Sequence, residues 1–139
     1  MSTRIRPVVL LLAVAAAVLV LPAVLAGAAQ RTVLPDCLGR PRFKPAAYVI
    51  ACADANYFID HLHWSSWTAR TAAATGQAHF NTCKPDCVHG RIRTSAATVT
   101  LSKPHSCGRA RRPSFSRLTV HARGVSRRPI PISCGPTFG

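Results

Sequence analysis

Two stretches in the C-terminal half alternate apolar and polar residues with the period of a pleated strand. Ala97-Thr98-Val99-Thr100-Leu101 turns its alanine, valine and leucine one way and its threonines the other. Ser116-Arg117-Leu118-Thr119-Val120-His121-Ala122 repeats the pattern. Each reads as a half-buried strand. Residues 102–114, between them, hold Pro104, Gly108 and Pro113 and read as a long basic loop joining two paired strands. Earlier signals are less regular. Tyr48-Val49-Ile50-Ala51-Cys52 is a compact apolar run of strand length. Residues 57–64 put Phe58, Leu62 and Trp64 on one face and Ile59, His61 and His63 on the other, with Asp60 interrupting the apolar side. Residues 68–81 are rich in Ala and Thr. An alanine-rich helix competes for them, but Thr71, Thr75 and Gly76 weigh against it. Five candidate strands with punctuating turns predict an all-β fold, a small antiparallel sandwich or barrel.

The flanks of this β domain, residues 47–124, look different. Residues 29–46 carry Pro35, Gly39, Pro41 and Pro45, too dense for a regular element, and read as an irregular lead-in. Residues 125–139 form a proline-rich tail that is not expected to build a ladder. The N-terminus has the layout of a signal peptide over residues 1–28. Arg4 and Arg6 make a positive start, residues 8–25 are apolar apart from Pro22, and Ala26-Gly27-Ala28 offers small residues for cleavage after Ala28. An uncleaved membrane anchor is the alternative, since the run approaches the ~20 residues needed to span a bilayer. No adjacent arginine pair marks a twin-arginine route, and no cysteine lies at the cut for lipid attachment.

Removal of that leader changes the charge picture little. Arg4 and Arg6 go with it, leaving 16 of the 18 basic residues against four aspartates and no glutamate, a net of +12. Arginine outnumbers lysine 13 to 3 in this part. Such a field favours an anionic partner, an envelope polymer or an acidic protein, with Arg109, Arg111 and Arg112 as its densest cluster. A solvated basic surface with no dedicated partner is the bland alternative.

Six cysteines, Cys37, Cys52, Cys83, Cys87, Cys107 and Cys134, follow the leader. An even count in an exported chain reads as a disulfide framework, and six allow fifteen pairings. Cys83-Lys84-Pro85-Asp86-Cys87 is a turn-forming segment, which favours a local Cys83–Cys87 bridge. A redox dithiol would need a two-residue spacer opening a helix.

Candidate chemistry is sparse. His61 and His63 share a predicted strand face and are the best copper or zinc ligands, but a closed site needs three or four. With four carboxylates and no glycine-rich phosphate loop, neither catalysis nor a cofactor is expected. In Trp64-Ser65-Ser66-Trp67, Trp64 falls on the face of Leu62 and reads as core. Trp67 points elsewhere. Packing of both indoles against disulfides is the favoured reading, and an exposed Trp67 beside arginines, a stacking platform for sugars or bases, is the alternative.

The runs Ala51-Cys52-Ala53-Asp54-Ala55-Asn56, Leu62-His63-Trp64-Ser65-Ser66-Trp67 and Ala74-Thr75-Gly76 resemble a family of short secreted actinobacterial proteins. The resemblance continues through residues 81–90 and Val99-Thr100-Leu101-Ser102 and spans residues 43–122. The family carries no assigned catalytic or binding residues, so it implies an exported, compact, oxidised domain and nothing more. Cys107 and Cys134 stand outside its pattern. As additions they are expected to pair with each other, leaving Cys37 for Cys52. The functional expectation is a secreted, non-catalytic binding domain at the cell envelope. A secreted inhibitor or effector docking on another protein is the alternative, and a copper or zinc binder a further one.

Overall fold

The computed structural model describes residues 31–125 and 127–135, so the expected signal peptide lies outside the described residues. Strand β1 (Leu34–Pro35) pairs antiparallel with β2 (Pro41–Arg42) in a two-stranded sheet. The remaining strands are β3 (Tyr48–Val49), β4 (Tyr57–Trp67), β5 (Ala72–Asn81), β6 (Ile92–Cys107), β7 (Arg112–Ala122) and β8 (Ile130–Pro131). They form one six-stranded antiparallel sheet in sequence order. The sheet curls into a half-barrel, within the all-β class that the alternation predicts.

The core lines the inner side of the curl. Val99 and Leu101 of β6 meet Leu118 and Val120 of β7, with Ile59, Leu62 and Phe115 closing over them. Strand β5 contributes the small residues Ala72, Ala74 and Ala78, buried at alternate positions. That period of two resolves the competition over residues 68–81 in favour of a strand. Gly76 completes the series for a steric reason: a Cβ there would lie 2.7 Å from the Asp60 carbonyl oxygen. Gly76 lies opposite the bulge that the neighbouring strand β4 makes between Asp60 and His63, with His61 at φ 48°. The extra residue shifts the side-chain parity. Ile59 and Leu62 therefore both point inward, whereas the unbroken alternation had placed them on opposite faces. Phe58 faces out and stacks on His79 at 4.5 Å.

Three expectations about connecting segments are corrected. The basic loop of residues 102–114 is far shorter: β6 runs through Pro104 to Cys107, and only residues 108–111 turn. Lys103, at φ 55°, accommodates the proline, and the pairing resumes in register at Pro104↔Phe115. The lead-in is not devoid of regular structure, because Pro35 and Pro41 oppose each other in a two-residue ladder where a missing N–H is tolerated. It also enters the core. Val33 and Leu34 are buried, and Val33 bonds both Pro113 O and the Phe115 N–H. The tail, finally, does add to the sheet. Ile130 and Pro131 pair with Leu118 and Arg117 on its edge, and Ile132 N donates to Ser116 O.

Disulfides join Cys37 to Cys52, Cys83 to Cys87, and Cys107 to Cys134, with no free cysteine. Three such bridges belong to an oxidising environment. Among the described residues, no helix is long and apolar enough to cross a membrane.

Candidate anion-binding surface

The four-residue turn joining β6 to β7 is set by its backbone. Gly108 takes φ 68° and Arg111 φ 47°, and Arg111 N donates to Gly108 O at 3.0 Å. This places Arg109, Arg111 and the first residue of β7, Arg112, on the exposed tip of the hairpin. Cys107, opposite Arg112 in the ladder, is bonded to Cys134, so the bridge ties the C-terminal segment to the base of the tip. A cleft of about 260 Å³ opens beside it, with Arg109, Arg112, Ser114, Pro35 and Cys134 among its walls.

Which cations have partners decides where the net charge is available. Asp36 takes two of the arginines. Its Oδ2 accepts from Arg40 Nε at 3.0 Å and from Arg42 Nη2 at 2.9 Å, while Oδ1 accepts the backbone N–H groups of Leu38 and Arg40. Desolvation works to raise the Asp36 pKa, but these donors outweigh it and hold the carboxyl below its ordinary value. Asp54 is held by Asn56, and Asp86 by His89. Among the described residues, no ion pair is formed by Arg109, Arg111 or Arg112.

Trp67 does not join these arginines. Its indole N–H donates to Thr32 O at 2.8 Å, and its ring packs against Trp64, Phe115 and Phe43 at 4.5, 5.5 and 5.2 Å. The indole is half-buried and anchors the lead-in, as Trp64 does through Pro45 O. Trp67 therefore drops out as a candidate for the anionic partner: the residue serves packing, the favoured of its two readings. Arg31 and Lys44 lie over the Phe43 ring at 5.1 and 5.8 Å, at the outer end of this cluster.

His61 and His63 are both exposed, but the bulge separates their roles. His61 Nδ1 contacts Asp60 Oδ1 at 2.8 Å, and His79 Nε2 reaches the same oxygen at 2.9 Å. His79 Nδ1 in turn contacts Thr94 Oγ1 at 2.9 Å. Hydrogen bonds to His61 and then His79 hold the Asp60 carboxyl below its ordinary pKa. A hydroxyl–imidazole–carboxylate chain of this kind can relay a proton, yet here it spans β4, β5 and β6 and the Phe58 ring covers the imidazole. Among the described residues, the one group with metal-ligand spacing is His105, Cys107 and Cys134, with ligand atoms within 4.8 Å. Its two sulfurs are spent in the disulfide, which leaves the imidazole as the remaining strong donor.

A second cationic surface escapes sequence reading. Lys84, Arg93 and Arg123 line a groove of about 670 Å³ with Thr82, Thr94 and Ser95. These cations stand 9 and 30 residues apart, and only the β5–β6 and β6–β7 pairings bring them together. Arginines at alternate positions such as Arg91 and Arg93 were the sole local hint. Comparison with protein-family models, curated proteins and solved structures finds no match.

Proposed function

We propose that this is a secreted, non-catalytic binding domain that holds an anionic polymer of the cell envelope on the β6–β7 hairpin tip. One observation carries the reading: among the described residues, Arg109, Arg111 and Arg112 are exposed and form no ion pair, at the tip of a hairpin whose base is clamped by the Cys107–Cys134 bridge. A clamped turn loses little conformational freedom on binding, which favours affinity. Guanidinium groups suit a phosphate- or carboxylate-bearing chain because they donate two parallel hydrogen bonds. Export is supported by the signal-peptide layout, the three disulfides and the resemblance to short secreted actinobacterial proteins.

The test is retention on immobilised polyanion, a glycerol-phosphate or uronic-acid polymer, over a salt gradient. Exposed charges are screened beyond about 8 Å at physiological ionic strength, so binding should weaken steeply with salt. Replacing Arg109, Arg111 and Arg112 together by glutamine should cost about tenfold or more in affinity at low salt. Retention unaffected by salt and by that variant would sink the proposal. A stoichiometric, salt-resistant complex with one protein would instead favour the inhibitor or effector reading.

A further inference from the structure

We infer that the protein has a second binding site, which takes a single-chain amphiphile ending in a phosphate, with its head in the Lys84–Arg93–Arg123 groove and its chain in an adjoining apolar cleft. The site lies at the opposite end of the β6–β7 ladder from the hairpin tip and goes beyond polymer binding there.

The head-group half has the chemistry of an anion site. Three exposed cations, Lys84, Arg93 and Arg123, converge on one groove, and none forms an ion pair among the described residues. No carboxylate stands in its walls, which otherwise offer the hydroxyl-bearing Thr82, Thr94 and Ser95. In a chain whose four aspartates each hold a local partner, a groove with three cations and no acid is an electrostatic well for an anion. The arginines match a phosphate through paired donors, and the lysine adds a point charge.

The chain half lies alongside. A cleft of about 520 Å³ is walled by Tyr57, Phe80, Val125, Ile130 and Pro131, within the size range of small-ligand sites. Phe80, Asn81 and Gly124 line both the cleft and the groove, so the two share a wall. Gly124 makes that wall thin: it takes φ 79°, and a Cβ there would lie 3.1 Å from Phe80 Cζ. The Phe80 ring can therefore lie against the chain at the boundary. Polarity sets the orientation of the guest. The cleft wall holds Asp54 as well as Arg128, so it has no excess of cations, whereas the groove has three and no acid. A phosphate thus belongs on the groove side and the apolar chain beneath Val125 and Ile130.

Calorimetric titration with decyl phosphate, below its micellar concentration, tests the assignment. Inorganic phosphate and decyl maltoside serve as the head-only and chain-only controls. The expected result is one-to-one binding of decyl phosphate, about tenfold or more tighter than either control, since each buried methylene contributes roughly fourfold in affinity. Arg93→Gln with Arg123→Gln should weaken decyl phosphate about tenfold and leave decyl maltoside unchanged. Val125→Asn should weaken both alkyl ligands. The Arg109, Arg111 and Arg112 glutamine variant should bind decyl phosphate as the unmodified protein does, so failure here and failure of the polymer proposal are read separately. Equal affinity for phosphate and decyl phosphate would leave the cleft idle and overturn the inference. So would equal affinity for the two alkyl ligands, absence of decyl phosphate binding, or loss of it in the hairpin-tip variant.

Discussion

Tyr48 and Tyr57, the two tyrosines of the chain, are both held neutral far into the alkaline range. Desolvation, reinforced for Tyr48 by the Asp36 charge, pushes its phenol up to about 12, and burial does the same for Tyr57. The Tyr48 hydroxyl donates to Pro35 O at 3.1 Å, so the neutral form is also the bonded form. A folded pKa above the unfolded value means that this stabilisation is complete below pH 10 and is lost as pH rises toward 12. For Tyr48 the loss amounts to about 3 kcal/mol. Absorbance titration should show both phenols ionising late in the native protein and normally in urea, and denaturation midpoints should fall across that alkaline window. Tyr48→Phe should cost about 1 kcal/mol at neutral pH and flatten part of the alkaline decline. Ionisation of both tyrosines near the ordinary value in the native state would contradict the argument. Gly76 makes an opposite kind of test. Glycine within a strand normally gains about 0.5–1 kcal/mol when replaced by alanine. Here the new Cβ meets the Asp60 carbonyl at 2.7 Å and Leu62 Cδ2 at 3.1 Å, and a backbone atom gives way poorly. Gly76→Ala should therefore destabilise by about 1–3 kcal/mol in urea unfolding.

Among the elements, the β6–β7 hairpin combines a long antiparallel ladder with a densely charged, exposed tip. Its tip is stapled to the tail across 27 residues by Cys107–Cys134, and that staple holds β8 and Ile132 near the sheet edge. Replacing both cysteines by serine should cost about 2–4 kcal/mol of stability, chiefly by freeing the unfolded chain. Amide exchange should then quicken at Ile132, whose N–H bonds Ser116 O, while the Ala97↔Ala122 end of the hairpin stays protected. Uniform loss of protection would show that the bridge supports the whole sheet. The bulge of β4 works at the same scale. One residue at positive φ turns Ile59 and Leu62 to the same side, and it also hands His61 to Asp60.

At the scale of the whole molecule, the charge distribution is set by where four aspartates happen to fall. Arg40 and Arg42 are consumed by Asp36, whereas the hairpin tip and the Lys84–Arg93–Arg123 groove keep their positive potential. Polymer retention should fall with salt in proportion to the cations engaged, and the triple glutamine variant at the tip should shallow that dependence. The half-barrel leaves its edges to two-residue strands, β3 and β8, and β8 also carries Pro131 and follows Pro129. Such edges offer little template for a further strand.

Fold class was legible in advance because alternation is local: Val99, Leu101, Leu118 and Val120 declare their inner face within a few residues of chain. The oxidised cysteines and the basic balance were equally legible, being matters of count and composition. The Asp60–His63 bulge was not, since no local rule marks the single residue that takes positive φ, and that residue put Ile59, assigned to the outer face, on the same inner side as Leu62. Pro35, Pro41 and Pro131 misled for a related reason, because proline forbids a ladder only where its missing N–H is needed. The candidate sites divide in the same way. Arg109, Arg111 and Arg112 are neighbours in the chain and could be found there, whereas Lys84, Arg93 and Arg123 meet only after three strands pair. Trp67 looked available until Thr32, far away in sequence, received its indole N–H. Composition and short-range period thus belong to the sequence, and availability of a side chain belongs to the fold, because burial and partnership are set by residues that are distant until the sheet closes.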